Sequence, residues 1–238
     1  MTVPGITGKR VVITGAAGGI GAAVCESMRA AGALVHPWDL VGNNEISAVD
    51  VTDRDAVARA WTQTIDEHGS VDVVIHGAGV MSNDWDLCMA VNAGGVRNML
   101  DVAVPSLVER GTGSVVVISS NAAATPRAAI PAYAASKAAA TAYARSVGLD
   151  VARSGVRINV VSPGSTDTPM LRGMWADEVS DRAAVLAGDP DRFRLGIPLG
   201  RIADATDIAA TVQFLASDAA KHMTMHDLRV DGGATLDQ

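Results

Sequence analysis

Short runs of β-branched residues alternate along this chain with longer stretches typical of helices. This alternation is the signature of βαβ units, in which successive strands lie parallel and a helix crosses over between them. Strands are predicted at 10–14, 34–38, 46–49, 71–76, 114–119, 157–161 and 227–230. Helices are predicted to begin near Gly19, Asp53, Asp86, Pro131 and Asp204. The sequence therefore predicts an α/β fold with a Rossmann-type, doubly wound parallel sheet, and 1–238 as one domain.

Composition and charge narrow the function classes. Apolar residues make up 48% of the 238 residues and aromatic residues only 3%, so small aliphatic side chains must form the core, as in a helix-covered parallel sheet. The net charge of −7 disfavours a nucleic-acid or membrane partner. No apolar run is long enough for a membrane span, the start MTVPGITGKR lacks a signal-peptide stretch, and no metal site is expected. Cys25 and Cys88 are expected to be buried thiols in a cytoplasmic protein.

A glycine-rich turn, TGAAGGIG at 14–21, follows the first predicted strand and opens the first helix. Gly15 permits a tight turn, Gly19 permits close approach of a pyrophosphate, and Gly21 permits close packing of helix on strand. The free N–H groups of the helix start would face the phosphates. The expected nucleotide contacts in this turn are Gly15, Gly18, Gly19, Ile20 and Gly21.

Asp39 ends the second predicted strand, 18 residues after Gly21. A carboxylate near this spacing can accept hydrogen bonds from the adenine ribose hydroxyls and would repel a 2′-phosphate. The turn offers no Lys or Arg to hold that phosphate, so the predicted cofactor is NAD rather than NADP. Further cofactor contacts are expected from strand ends, at Asp50, Val51, Gly77, Ala78 and Gly79.

Tyr133 and Lys137 are four residues apart in YAASK, on a predicted helix, and Ser120 ends the preceding strand. Residues four apart lie on one helix face, so a phenol and an ammonium would be close together. The ammonium is expected to lower the phenol pKa and allow Tyr133 to act as a general base. Ser120 is expected beside the phenol, at the strand end where ligands bind in α/β sheets.

Together TGAAGGIG, HGAG, Asn92 in AVNAGG, Ser120, YAASK and SPGSTDT resemble the short-chain dehydrogenase/reductase family over essentially the full length. The resemblance implies that Tyr133 is the acid/base and that Ser120 binds the reacting oxygen. Lys137 would also hold the nicotinamide ribose, and Asn92 would orient a water for proton relay. It further implies cofactor contacts at the second glycine turn and a homotetramer built through helices and the C-terminal strand. Those contacts are Pro163, Gly164, Thr166 and Thr168. His76 and Gly77 replace the first two residues of the family's usual Asn-Asn-Ala-Gly or Asn-Ala-Ala-Gly turn.

A narrower resemblance covers the second half, in TPRAAIPAYAASKAA, GVRINVVSPGSTDTPM, RLGIPLGRIADATDIAATVQFLASD and DGGATL. These segments are similar to the 2,3-dihydro-2,3-dihydroxybenzoate dehydrogenases and to their relatives that form 3-hydroxyanthranilate in antibiotic pathways. This implies oxidation of the C3 hydroxyl of a dihydrobenzoate that bears oxygen or nitrogen at C2, in siderophore or antibiotic biosynthesis.

A carboxylate substrate needs a cation, for which Arg127 is the first candidate and Arg172, Arg192 and Arg194 are alternatives. The segment near 165–198 is expected to form a lid, and 79–92 is shorter than usual, which favours an altered pocket edge. The substrate contacts expected are Arg127, Ser165, Met170 and Met174, with Trp175 as an apolar wall.

The sequence leaves other functions open. The chain could be a short-chain reductase of another alcohol or ketone, such as a 3-oxoacyl or sugar-alcohol substrate. It could also bind NAD without turnover as a sensor or scaffold, or serve only as an oligomerisation module. Tyr133 and Lys137 argue against the last two, because proteins without turnover typically lose that pair.

Overall fold

The computed structural model describes residues 4–236 and places seven parallel strands in one sheet. The order is β3-β2-β1-β4-β5-β6-β9, so the chain first winds to one side of β1 and then to the other. The predicted doubly wound sheet is confirmed. The strands are β1 (Arg10–Thr14), β2 (Leu34–Asp39), β3 (Ser47–Ala48), β4 (Val73–His76), β5 (Gly113–Ile118), β6 (Val156–Pro163) and β9 (Asp227–Val230).

Helices cover both faces of this sheet, because its central strands are apolar at successive positions that point to opposite faces. Val12 belongs to the core on one face, under α2, α4 and α5, and Val11 and Ile13 to the core on the other, under α1 and α8. The main helices are α1 (Gly19–Ala30), α2 (Arg54–His68), α4 (Gly95–Arg110), α5 (Pro131–Val151) and α8 (Ala205–Ala216).

One predicted helix has a different course. The stretch expected to form a regular helix from near Asp86 contains a short α3 (Trp85–Cys88), then a π-helical segment at Met89–Gly94, and only then α4. In the π-helical segment the side chain of Asn92 points into the protein and is fully buried. A wide turn of this kind often marks a functional site.

The predicted lid, near 165–198, is more regular than the sequence suggested. It contains α6 (Pro169–Arg172), α7 (Glu178–Ala187) and a small antiparallel hairpin of β7 (Gly188–Asp189) and β8 (Arg194–Leu195). Leu171 and Ile197 join Ile202 in a separate apolar cluster. We call residues 165–198 the lid. Within residues 4–236, every helix is too short or too polar to traverse a bilayer.

Candidate active site

A cavity of about 1000 Å³ opens at the carboxyl ends of the parallel strands. It lies where the chain reverses its winding direction between β1 and β4, which is the usual position of ligands in doubly wound sheets. The β1 and β4 ends form one part of its wall, the β5 end and the start of α5 form another, and the lid forms a third. The cavity is large enough for a dinucleotide together with a small ring substrate.

The glycine turn after β1 forms the floor of one end of this cavity. Gly15 has φ of 71°, a conformation that favours glycine, and a Cβ there would lie 2.6 Å from Ala78 N. A Cβ on Gly21 would overlap the Gly15 carbonyl oxygen, so the helix could not pack this closely on the turn with any other residue. Gly18 caps α1 without a side-chain hydrogen bond, and the first turn of α1 carries no acidic residue. This cradle fits a pyrophosphate, which would accept hydrogen bonds from the free N–H groups.

Asp39, at the end of β2, borders the same end of the cavity. Its Oδ2 accepts a hydrogen bond from the Ala17 N–H at 2.9 Å, which fixes the carboxylate beside the glycine turn. Asp50 and Val51 also border the cavity, although the Asp50 carboxylate already accepts two hydrogen bonds from Thr52. The adenosine half of a dinucleotide would therefore meet a fixed carboxylate.

Ser120 and Tyr133 meet on the opposite side of the cavity, as the sequence predicted. Ser120 lies two residues after the end of β5 and caps the short 3₁₀ turn Asn121–Ala123, where its Oγ accepts a hydrogen bond from Ala122 N–H at 3.1 Å. Tyr133 lies in the first turn of α5 and is buried with Ala122, Ala132 and Cys88. The Ser120 hydroxyl is close enough to lower the phenol pKa by hydrogen bonding.

Lys137 lies one helical turn after Tyr133 and is also buried. Its Nζ donates a hydrogen bond to the Ile118 carbonyl at 2.9 Å and lies 5.9 Å from the centre of the Tyr133 ring. Burial lowers the Lys137 pKa from 10.5 to about 8. The amine therefore lies between the strand end and the phenol, with its charge weakened by loss of water.

The expected lowering of the Tyr133 pKa by Lys137 is not found. Burial raises the Tyr133 pKa above its usual value of 10, and this effect exceeds the lowering by Ser120. Helical spacing correctly predicted proximity, but it could not show that both groups lose water and that the amine already bonds to Ile118. The pair thus holds a protonated phenol beside an amine that is easily deprotonated.

Asn92 lies beneath the site and does not border the cavity. Its Oδ1 accepts from the Val80 N–H and its Nδ2 donates to the Val80 carbonyl, both at 2.9 Å. The same Nδ2 donates to Ser136 Oγ at 2.9 Å. Asn92 thus fastens the segment after β4 to α5, and its role in proton relay stays a prediction.

The turn after β4 completes the floor. Gly77, Ala78 and Gly79 border the cavity, and a Cβ on Gly79 would lie 3.1 Å from Lys137 Nζ. His76 is fully buried behind them: its Nδ1 is 3.0 Å from Thr14 Oγ1, and its Nε2 has no hydrogen-bond partner. Burial, with a smaller effect of the Lys137 charge, lowers the His76 pKa to about 3, so this histidine is neutral.

The segment from the end of β6 to the first residues of the lid borders the cavity with all of its predicted residues. Thr168 caps α6 and rests over the glycine turn, since a Cβ on Gly19 would lie 2.8 Å from Thr168 Cγ2. Gly164 packs against Asp231, leaving 2.5 Å between the Asp231 Cβ and a Cβ built at Gly164. The predicted residues here are Pro163, Gly164, Ser165, Thr166 and Thr168.

The predicted substrate residues Arg127, Met170 and Met174 all border the cavity, and so do the alternatives Arg192 and Arg194. Arg172 does not, because its guanidinium binds the Asp167 carboxylate with two hydrogen bonds. Further apolar residues that the sequence did not single out line the cavity, and their only signal was their position after β4, before α5, within the lid or after β9. They are Val80, Met81, Leu87, Val91, Ile130, Val185, Leu195, Ile197 and Ala234.

Comparisons with known proteins agree with this geometry. A family model described as enoyl-(acyl carrier protein) reductase matches residues 15–235. A 2,3-dihydro-2,3-dihydroxybenzoate dehydrogenase of Escherichia coli is 41% identical, over 97% of this chain and 98% of the relative. The vibriobactin-specific enzyme of that name from Vibrio cholerae is 38% identical, over 98% of both chains. The ligand-free aldohexose dehydrogenase of Thermoplasma acidophilum superposes with a TM-score of 0.87 and 28% identity, over 98% of this chain and 96% of that structure.

The glycine cradle, the buried Tyr133–Lys137 pair beside Ser120 and the full-length matches all point to one group of enzymes that use NAD or NADP. The chain belongs to the short-chain dehydrogenase/reductase family of oxidoreductases.

Proposed function

We propose that this enzyme oxidises the C3 hydroxyl of trans-2,3-dihydro-2,3-dihydroxybenzoate with NAD and forms the aromatic acid used in siderophores. The full-length similarity to dehydrogenases of that name supports the proposal. The proposal is further supported by a basic side chain that borders the reaction site, because it could bind the carboxylate of that substrate.

That side chain is Arg127, in the loop between Ser120 and Tyr133. It is half-buried, and burial lowers its pKa. Among residues 4–236, no carboxylate forms an ion pair with it. The buried Asp231 is near enough to raise the Arg127 pKa, but it accepts hydrogen bonds from Asn121, Thr235 and Gly233 instead. A desolvated guanidinium without an ion-pair partner is suited to two parallel hydrogen bonds with a substrate carboxylate.

NAD, rather than NADP, is supported by Asp39. Its carboxylate would accept hydrogen bonds from the ribose hydroxyls and repel a 2′-phosphate. Ala17, Gly18 and Leu40, the nearby residues that border this end, provide no cation for such a phosphate. NAD, when bound, supplies the acceptor for the hydride that leaves C3.

The protein residues manage the hydroxyl proton and the orientation of the ring. Ser120 donates a hydrogen bond to the C3 oxygen and Tyr133 removes its proton, so that a ketone forms as the hydride leaves. The ketone then enolises to the aromatic ring, which drives the oxidation. Because burial raises the Tyr133 pKa, the phenol must first lose its own proton before it can act as this base. The neighbouring Lys137 amine, whose pKa is about 8, would accept that proton, and the positive charge of the oxidised cofactor would favour the phenolate.

The proposal is tested by measuring the formation of NADH when the purified enzyme is mixed with NAD and trans-2,3-dihydro-2,3-dihydroxybenzoate. The 2-amino-3-hydroxy analogue should be run in parallel, because the resemblance to the dehydrogenases leaves open whether C2 carries oxygen or nitrogen. We expect turnover of the dihydroxy acid with NAD and a lower rate with NADP. If neither ring acid is oxidised while a 3-oxoacyl ester is reduced, the alternative reductase function is correct.

Arg127→Ala should raise the KM for the acid by about tenfold or more and leave the KM for NAD unchanged, since a charge-assisted hydrogen bond contributes about 1.5–3 kcal/mol. The homotetramer and the cytoplasmic location also remain predictions. Sedimentation of the purified protein tests the tetramer.

A further inference from the structure

Two guanidinium groups from different parts of the fold face the same cavity. Arg127 lies on the loop before α5, in the body of the domain, and Arg194 lies on β8 of the lid hairpin. Both are partly buried. They are close enough that the Arg194 charge lowers the Arg127 pKa. Two cations that face one cavity repel each other unless an anion lies between them.

The other lid arginines form ion pairs with carboxylates of the lid. Arg172 and Arg182 both pair with Asp167, at 2.6 and 3.5 Å, and Arg192 pairs with Asp189 at 3.5 Å. Among the described residues 4–236, Arg194 forms no ion pair within 4.0 Å. Each of the other lid arginines therefore has a carboxylate partner within the lid, whereas Arg194, which borders the same cavity as Arg127, has none among the described residues.

The backbone around Arg194 is held in place. The backbone of Arg194 lies opposite that of Asp189 in the antiparallel strand pair of the hairpin. Phe193, the residue before Arg194, adopts a left-handed conformation with φ of 52°. A Cβ on Gly188 would overlap the Gly196 nitrogen, so the two hairpin strands are in close contact. A fixed backbone limits the directions in which the Arg194 side chain can extend.

We propose that Arg127 and Arg194 together bind one substrate carboxylate and that this shared anion holds the lid against the body of the domain. The inference rests on the proposed function for the identity of the acid, but the two-cation site requires only an aromatic or cyclic carboxylate. Arg194 is thereby a binding and positioning residue. Its loss lowers the affinity for the carboxylate and weakens the contact between the lid and the body of the domain.

Benzoate is a suitable probe, because it carries the carboxylate and ring but cannot react. Its affinity is measured by calorimetry with NAD present, and benzamide serves as the uncharged counterpart. We expect Arg194→Ala to lower the affinity for benzoate by about tenfold or more and to leave the affinity for benzamide unchanged, as for the loss of a charge-assisted hydrogen bond. The benzoate affinity of Arg194→Lys should lie between those of the wild type and the alanine variant, since an ammonium keeps the charge but not the paired donors.

Arg182→Ala is the matched control, because it removes one lid guanidinium that does not border the cavity. Its benzoate affinity should equal that of the wild type. In the double variant of Arg127 and Arg194 to alanine, the loss should differ by more than twofold from the product of the single losses, because both groups contact one anion. Limited proteolysis of the lid should be slowed by benzoate in the wild type and not in Arg194→Ala.

Equal benzoate affinities in Arg194→Ala and Arg182→Ala would overturn the proposal, and so would an equal loss of benzamide binding. If the alanine variant does not fold, Arg194→Lys and Arg194→Gln give the same comparison of charge and shape. A failed proposed function is recognised separately. In that case benzoate binding depends on Arg194 although the dihydroxy acid is not oxidised, whereas oxidation without this dependence refutes the shared site alone.

Discussion

Lys137 donates a hydrogen bond to the carbonyl of Ile118 at 2.9 Å and so connects α5 to the end of β5. The contact places a cation at the point where strand, cofactor cradle and phenol meet. It also buries that cation, which lowers its pKa to about 8. Function and stability therefore make opposite demands on this residue.

Lys137→Met should leave the enzyme inactive but change the pH dependence of its stability. The wild-type lysine has a lower pKa folded than unfolded, so the unfolded chain binds more protons between pH 8 and 10.5 and stability rises with pH in that window. At pH 9.5 the gain over pH 7 should be about 2 kcal/mol. Urea unfolding at both pH values measures it. The methionine variant should lack this gain, and an equal gain in both proteins would contradict the assignment.

Tyr133→Phe should lower the turnover by about 10²–10⁴-fold, the usual contribution of a general acid or base. The ring remains, so NAD affinity should be unchanged in a fluorescence titration. The other tyrosine of the chain offers a matched control. Tyr143 bonds to Asp101 at 2.6 Å and does not border the cavity, so Tyr143→Phe should keep its activity. Retained turnover in Tyr133→Phe would remove the phenol from the mechanism.

Asp39→Asn tests the cofactor preference by removing a charge while keeping an oxygen that can accept from Ala17 N–H. The ratio of kcat/KM for NAD to that for NADP should fall by about tenfold, since the ribose loses a charged acceptor and a 2′-phosphate is no longer repelled. Steady-state kinetics with both cofactors measure the ratio. Asp66→Asn, on the exposed side of α2, makes the same charge change away from the cavity and should not alter it.

His76→Asn should make the protein more tolerant of acid. The folded His76 pKa is about 3 and the ordinary value is 6.5, so the unfolded state binds the extra proton and wild-type stability falls as the pH decreases from 6.5 towards 3. Between pH 7 and pH 4.5 this histidine should cost about 2–3 kcal/mol. Denaturant unfolding should show a smaller decrease for the asparagine variant. Replacing the exposed His222 by Asn should not alter the decrease.

The sequence was sufficient for the features that depend on local pattern. Apolar strands such as β1 and β4, the glycine turn at Gly15 and the helical spacing of Tyr133 and Lys137 all reappear in the structure. Cys25 and Cys88 are free and buried, as predicted. These features could be predicted because each arises from residues near one another in the chain.

Features that depend on distant contacts could not be predicted. The π-helical turn exists where Asn92 reaches back to both backbone groups of Val80 and across to Ser136. The raised Tyr133 pKa reflects burial by residues from α3 and the turn after Ser120. The approach of Arg194 to Arg127 depends on how the lid folds back over the body. In each case the sequence supplied the residue but not its surroundings.

The position of β1 has a consequence for biosynthesis. β1 pairs with β2 on one side and with β4 on the other, and Val11 there meets Val73. In the nascent chain β2 can reach β1 first, while the opposite edge of β1 stays unpaired until β4, which ends at His76, has also emerged from the ribosome. A bare apolar edge invites pairing with other nascent chains. Chains that end before Val73 would therefore expose this edge of β1 to pairing with other chains.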